Sequence, residues 1–289
     1  MSTLVVGATG SLGRKIVHGL VEGGETVRAL ARSTSDYKLL EEAGAQVVIG
    51  DLKDPATLDR ACQGVDVVVS TANVSKTGDD TVENVDFRGN QNLIDAAEAA
   101  RVQRFVLIST LGASAESPVP VFRAKGAAEE RLREGRMEYT ILQPNAFMDV
   151  WFGMLIEMPA THGRPVTLVG ESRRRHSFVA ERDVAAFAIA ATRHPDARNA
   201  TLLIGGPEPL TFLEVVKAYE EAAGRSFPVQ SVAPGEPIPG IPEPVWGIAA
   251  ALETFDSPIP MQETAARYGV SLTNVREFAR SRLAPAVRN

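Results

Sequence analysis

The sequence predicts a doubly wound α/β fold: a mainly parallel sheet with helices on both faces, followed by a smaller C-terminal region. Three features predict it. Short β-rich runs alternate with helical ones through the first half, the strand cores Leu4-Val5-Val6 and Val67-Val68-Val69 are apolar at consecutive positions, and a glycine-rich turn joins the first strand to the first helix. Alternation of this kind builds parallel crossovers, and strands apolar at successive positions belong where helices cover both sides of a sheet.

In chain order, strands are expected over residues 3–7, 26–30, 46–49, 65–70, 105–109 and 139–142. Between the first two, Leu12, Ile16, Val17, Leu20 and Val21 fall on one helical face and Gly23-Gly24 ends the helix. The next crossover carries Leu39 and Leu40, and the third opens on Asp54-Pro55, a helix-capping residue followed by a proline suited to the first turn. After Pro144 the pattern changes to an aromatic and methionine-rich run, Phe147, Met148, Trp151, Phe152 and Met154 among it, which either lines a pocket or packs the interior. A helix over 182–192 and a strand over 200–204 follow, the strand returning to the sheet. Thr211 and Glu214 then stand at capping-box spacing before a helix bearing Phe212, Val215, Val216 and Tyr219. Eight prolines between residues 228 and 260 mark irregular connections around a short helix near 245–253. The expected division is a dinucleotide domain over 1–150 and a substrate region over 151–289, with about 180–206 packing back on the first domain.

With 289 residues, 44% hydrophobic and 23% charged, the chain is long enough for a large core and is neither disordered nor fibrous. A net charge of −6 gives no overall support for binding nucleic acid or an anionic membrane. The lone Cys62 cannot form an internal disulfide and reads as a buried helical thiol. No run approaches ~20 apolar residues and no basic leader precedes the first strand, so the expected compartment is the cytoplasm. His18, His162, His176 and His194 lack metal-ligand spacing and take surface or capping explanations, so no metal is expected. Arg173-Arg174-Arg175-His176 reads as a solvated loop, and Asp183 as the cap of the helix beside it.

The strongest chemical signal is Gly7-Ala8-Thr9-Gly10-Ser11-Leu12-Gly13 between the first strand and first helix. Glycines here permit the turn and a close backbone approach by a pyrophosphate. The helix start supplies N–H donors and a favourable dipole, and Gly13 lets helix and sheet meet. Gly7, Thr9, Gly10, Ser11, Leu12 and Gly13 are the candidate phosphate-turn residues. A Walker loop is excluded because no Gly-Lys-Ser or Gly-Lys-Thr ending follows.

Cofactor choice is read at the end of the second strand, Val27-Arg28-Ala29-Leu30-Ala31-Arg32-Ser33, which holds no carboxylate. A carboxylate would bind a ribose 2′-hydroxyl and repel a 2′-phosphate, whereas the Arg32 guanidinium fork can contact that phosphate. The expected cofactor is therefore NADP(H), against the alternative of a solvent-facing arginine. In Gly50-Asp51-Leu52, Asp51 and Leu52 are placed to meet adenine, unless Asp51 serves only the turn.

These motifs are joined by Ser70-Thr71-Ala72-Asn73, Ser109-Thr110, Phe122-x-x-Lys125 and Thr140-Ile141-Leu142-Gln143-Pro144-Asn145. Together they resemble the NmrA-like branch of the atypical short-chain dehydrogenase/reductase superfamily, over most of the chain. The resemblance implies a Rossmann domain in which Thr71, Ala72 and Asn73 lie along the cofactor ribose. It further implies that Lys125 approaches the nicotinamide side and that Pro144 and Asn145 border nicotinamide and substrate.

One departure from the superfamily matters most: where a proton-donating tyrosine usually stands four residues before the lysine, the chain has Val121. That argues against epimerase and ordinary alcohol-dehydrogenase chemistry. Lys125, the expected catalytic residue, either holds a ribose hydroxyl and stabilises charge as hydride leaves, or acts as an acid if burial lowers its pKa. The plainer alternative is a surface cation paired with Glu129 one helical turn on. Phe147, Met148, Trp151 and Phe152 form the expected acceptor wall, suited to a flat conjugated molecule, with core packing as the alternative. The expectation is an NADP(H)-dependent oxidoreductase passing hydride to a small, mainly apolar acceptor such as a quinone. Its rival is a non-catalytic NADP(H)-sensing regulatory protein.

Overall fold

A computed structural model of the chain describes residues 1–74 and 79–283. Its first half runs β1 (Ser2–Val6), α1 (Ser11–Glu22), β2 (Thr26–Ala31), α2 (Lys38–Glu42), β3 (Gln46–Ile49), α3 (Pro55–Cys62) and β4 (Val67–Ser70). A π-helical segment, Val82–Phe87, then leads into α4 (Arg88–Ala99), β5 (Arg104–Ile108), α5 (Pro120–Glu134) and β6 (Glu138–Pro144). The remainder holds α6 (Met148–Phe152), α7 (Met158–Thr161), β7 (Val166–Val169), α8 (Glu181–Ala191), β8 (Ala200–Ile204), α9 (Phe212–Ala223) and β9 (Val229–Val232). Three further helices follow, α10 (Glu243–Leu252), α11 (Gln262–Tyr268) and α12 (Val275–Leu283).

Seven strands form one sheet in the order β3-β2-β1-β4-β5-β6-β8, with β1 paired in parallel to both β2 and β4. This is the doubly wound Rossmann order, and the chain reverses direction across the sheet between β1 and β4. β4 is buried along its whole length and β5 likewise, which is why their sequences carry no alternation. The Asp54 side chain accepts from the Ala56 amide at the start of α3, and Cys62 at its end is fully buried, its thiol pushed up to about 12 by desolvation.

Two compact units divide the chain. The first is Met1–Pro144 with Val184–Leu203 and Tyr268–Val270, and the second is built from Asn145–Asp183, Ile204–Arg267 and the described residues from Ser271 on. Within the first unit, the buried Arg104 donates to the Ala191 and His194 carbonyls at 2.8 and 3.2 Å and pairs with Glu138 at 3.0 Å. Thr140 donates to the Ala197 carbonyl at 2.7 Å. These bonds fasten the end of α8 and the approach to β8 onto the sheet.

The second unit has a parallel two-stranded sheet, β7 with β9, and an aromatic core. The Phe152 ring meets Phe178, Tyr219 and Phe278 edge-on at centroid distances of 5.0, 6.0 and 5.9 Å, favourable quadrupole geometry. Asp183 is not the cap of α8. The helix starts two residues earlier, where Asp149 accepts from the Glu181 amide at 2.8 Å, and the Asp183 carboxylate accepts from the Thr273 amide and hydroxyl at 2.7 Å. His176 is not a surface residue either, although Arg173, Arg174 and Arg175 before it are exposed. Its Nε2 lies 3.0 Å from the Leu252 carbonyl, which can only accept, so Nε2 carries the proton and Nδ1 accepts from the Ser257 hydroxyl at 2.7 Å.

The capping box at α9 is complete: Glu214 accepts from the Thr211 amide at 2.8 Å, and Thr211 Oγ1 accepts from the Glu214 amide at 3.1 Å. Thr211→Ala is expected to destabilise the protein by about 1 kcal/mol, read from the midpoint of chemical denaturation, with the secondary-structure content of the folded state unchanged.

Candidate functional site

Because β1 to β6 run in parallel, the residues that follow each strand lie on one edge of the sheet. Gly7 follows β1, Arg32 follows β2, Asp51 follows β3 and Thr71 follows β4. The row is fixed by topology, and it centres on the β1/β4 reversal where open α/β sheets bind ligands.

The turn after β1 is as tight as its glycines allow. Gly7 has φ of +77°, and a Cβ there would sit 2.5 Å from Thr71 Oγ1. A Cβ on Gly13 would stand 2.2 Å from the Gly7 carbonyl oxygen and 2.8 Å from the Ala8 Cα, both backbone atoms that cannot yield cheaply. The Gly10 amide closes the turn on the Gly7 carbonyl at 3.0 Å, and Gly10, with no side chain, leaves the start of α1 without a side-chain cap. Gly10 and Ser11 are exposed and Thr9 and Leu12 half-buried, so the uncapped helix start faces outward with no acidic residue in its first turn. Backbone donors at a positive helix end in a cradle closed to any Cβ suit a pyrophosphate.

Beside it, a cavity of about 610 Å³ is lined by Arg32, Ser33, Asp51, Lys53 and Arg60, among others. Arg32 pairs with Asp80 at 2.7 Å, and Lys53 reaches both Asp79 and Asp80 at 2.8 and 3.0 Å. Asp80 is only 4% exposed against 35% for Arg32, so the carboxylate is the fixed member and the guanidinium the presented one. These carboxylates raise the Lys53 pKa and keep it a cation. Asp51 takes a turn role as well as lining the cavity, accepting from the Lys53 amide at 2.9 Å. Leu52 points elsewhere: it is buried in the core of the first unit, against Gly89.

Thr71 anchors the next segment, its amide donating to the Val6 carbonyl at 2.9 Å and its hydroxyl to the Val6 and Gly7 carbonyls. Ala72 is buried and Asn73 exposed. Lys125 is 3% exposed, and its Nζ donates to the carbonyls of Ala72 at 3.0 Å and Ile108 at 3.2 Å. It is therefore a buried amine bound at the ends of β4 and β5. Burial lowers its pKa, while Asp86 and Glu129 oppose that shift. Glu129 is occupied by other donors, Ser109, Gln143 at 2.8 Å and Arg133 at 2.9 Å.

Pro144 ends β6, and its carbonyl accepts from the Leu111 amide at 3.0 Å. In the second unit Asn145 is buried, its amide nitrogen donating to the Ser257 carbonyl at 2.9 Å and hydroxyl at 3.0 Å. Met148, Trp151 and Phe152 are core side chains of that unit, and only Phe147 of the expected acceptor wall is partly exposed. Lys53, Asp80 and Asp86 were not anticipated from the sequence. Lys53 follows Gly50-Asp51-Leu52 directly, a cue that was available, whereas nothing local marks Asp80 or Asp86.

Among the described residues no group of His, Cys, Asp and Glu could hold a metal ion, and no helix is long and apolar enough to cross a membrane.

Residues 7–195 match the family model described as NAD(P)H-binding. The chain is 34% identical over 231 residues to the NAD(P)H azoreductase of Xenophilus azovorans, covering 80% of this chain and 76% of that one. It is 32% identical over 232 residues to the Photosystem II assembly factor Ycf39 of Synechocystis, covering 80% and 71%. Its fold matches an NADPH-dependent quinone oxidoreductase from Escherichia coli with a TM-score of 0.80 at 20% identity, over 99% of this chain and 100% of that one. The glycine turn, the sheet order and these matches agree: the chain belongs to the NAD(P)H-binding family, as its resemblance to the NmrA-like short-chain dehydrogenases/reductases implied.

Proposed function

We propose that this protein is an NADPH-dependent reductase that passes hydride to a small, conjugated, mainly apolar acceptor such as a quinone. The observation that carries the reading is the row along one sheet edge: Asp51 and Arg32 at the cavity, the Gly7–Gly13 cradle, and Thr71–Asn73 beside the buried Lys125. Each part matches one part of a dinucleotide. The Gly7, Gly10 and Gly13 turn and the α1 amides hold the pyrophosphate. Arg32, with Lys53 beside it, holds the 2′-phosphate, and Thr71, Ala72 and Asn73 border the ribose next to nicotinamide, with Pro144 at the end of β6.

NADPH supplies a hydride when bound. Reducing a quinone to a hydroquinone also takes one proton per hydride, and with Val121 in the tyrosine position the candidate group is Lys125. Its side chain would keep positive charge beside the Thr71–Asn73 segment as bound NADPH gives up its hydride, and Lys125 or water would supply the proton. Of the aromatic run, Met148, Trp151 and Phe152 pack the second unit and Phe147 is left partly exposed. The names of the azoreductase and quinone-oxidoreductase relatives support a conjugated acceptor.

A second reading, an NADP(H)-sensing protein without turnover, is favoured by the missing tyrosine and by the relative named as an assembly factor. Acceptor-dependent loss of the reduced-nicotinamide absorbance with a panel of quinones and azo dyes separates the two. The reductase reading expects decay, and tight NADPH binding with no decay across the panel would favour the sensor.

Two substitutions test the site. Arg32→Ala is expected to weaken NADPH by about tenfold or more in calorimetric titration while leaving NADH within a small factor; equal losses for both would remove Arg32 from cofactor selection. Gly13→Ala is expected to weaken both nucleotides at least about tenfold, because its Cβ meets the Gly7 carbonyl. Gly153→Ala, whose Cβ has no neighbour within 4 Å, should bind as the parent protein does.

A further inference from the structure

Asp86 is the one buried side chain among the described residues with a polar atom lacking any hydrogen-bond partner. Its residue is fully buried, Oδ2 accepts from the Val74 amide at 2.8 Å, and Oδ1 has no donor. It sits in the π-helical segment Val82–Phe87, which packs against α5. Asn90 holds it from α4, its amide nitrogen donating to the Asp86 carbonyl at 2.9 Å, and Ser70 at the end of β4 donates to Asn90 at 3.1 Å.

Lys125, on α5, has a matching surplus. An ammonium offers three donors, and two are taken, by the Ala72 and Ile108 carbonyls. A buried carboxylate with an idle oxygen and a buried ammonium with an idle N–H are each costly alone, and each offsets the other's charge. No ion pair joins the two directly, but the segment bearing Asp86 packs against α5, which bears Lys125, and each acts electrostatically on the other. They also grip the same four residues: Lys125 holds the Ala72 carbonyl and Asp86 the Val74 amide, so the segment from Thr71 to Val74 is fixed from both sides.

We propose that Asp86 is a positioning residue that supplies the counter-charge for the Lys125 ammonium and, through the Val74 amide, sets the backbone along which the nicotinamide ribose lies. The last clause rests on the cofactor reading above; the charge coupling does not. The titratable groups facing the pair are few. Glu129 on α5 adds negative potential at Lys125 but already serves Ser109, Gln143 and Arg133, and the charge that acts on Asp86 is Lys125 itself. Desolvation raises the Asp86 pKa and lowers that of Lys125, and each partner's charge pulls the other back, so the two titrate as a couple. Removing Asp86 must then let the Lys125 pKa fall further, and removing Lys125 must let the Asp86 pKa rise further.

The test uses the full chain without nucleotide, labelled with carbon-13 at lysine Cε or aspartate Cγ and followed by NMR across pH. In Asp86→Asn, which keeps an oxygen for the Val74 amide, the Lys125 midpoint is expected to fall by about one unit or more, a tenfold loss of proton affinity. In Lys125→Met the Asp86 midpoint is expected to rise. An unchanged midpoint in either folded variant overturns the coupling, and the second measurement stands if the first variant does not fold. Positioning is read from NADPH affinity. The ratio of Asp86→Asn to wild-type Kd should grow several-fold as pH rises, because the variant's Lys125 loses its charge first. A constant ratio overturns the part of the counter-charge in cofactor binding; Asp86→Ala, which also loses the Val74 bond, is expected to weaken NADPH beyond Asp86→Asn, and equal affinities for the two variants overturn the positioning role. Wild-type protein that fails to bind NADPH would instead sink the cofactor reading, with the NMR result standing independently.

Discussion

The close approach of Gly13 to the Gly7 carbonyl is the constraint from which the site follows. No side chain fits between them, so α1 starts directly against the end of β1 and its amides come to the sheet edge. The same Gly7 is backed by Thr71, which ties the end of β4 to the end of β1 at the point where the sheet order reverses. One residue further on, the Ala72 carbonyl receives Lys125. A single backbone contact thus sets the glycine turn, and hydrogen bonds carry its position outward to the lysine.

Charge along this edge is local and matched. The chain as a whole is negative, yet Arg32 and Lys53 gather after β2 and β3, paired with Asp80 and Asp79, and Lys125 is bound at the ends of β4 and β5 by the Ala72 and Ile108 carbonyls. The buried Asp80 carboxylate orients Arg32 and Lys53 and leaves both able to serve a ligand that brings more charge. A dianionic phosphate can share Arg32 with Asp80 because a guanidinium presents five donors. The cost of removing a carboxylate is therefore larger than a surface ion pair would suggest, since Asp80 and Asp86 are both out of water.

Much of the fold was legible in the sequence because its signals are local. Consecutive apolar residues in β4, Asp54-Pro55 before α3 and the Thr211/Glu214 box each act over a few residues, and the structure places an element at each. The glycine turn was legible for the same reason. What escaped was pairing across distance. Arg32 was read at a strand end without a carboxylate, and the structure brings one from 48 positions away. Asp86 looks like any helical aspartate until burial and the Val74 amide reveal it. The aromatic run after Pro144 was ambiguous for a different reason: core and pocket wall both demand apolar side chains, and for Met148, Trp151 and Phe152 only packing shows that the core holds them. His176 was misjudged because its arginine neighbours suggested solvent, while Ser257 and Leu252, far along the chain, satisfy its ring.

The central claim is that this edge holds NADPH so that its hydride can leave. Single-turnover mixing of the NADPH-loaded protein with a quinone, comparing NADPH with its C4-deuterated form, tests that most directly. The account predicts acceptor-dependent decay of the reduced-nicotinamide absorbance that slows on deuteration of the transferred position. Stable absorbance in a protein that binds NADPH tightly, with every quinone and azo acceptor offered, would contradict it.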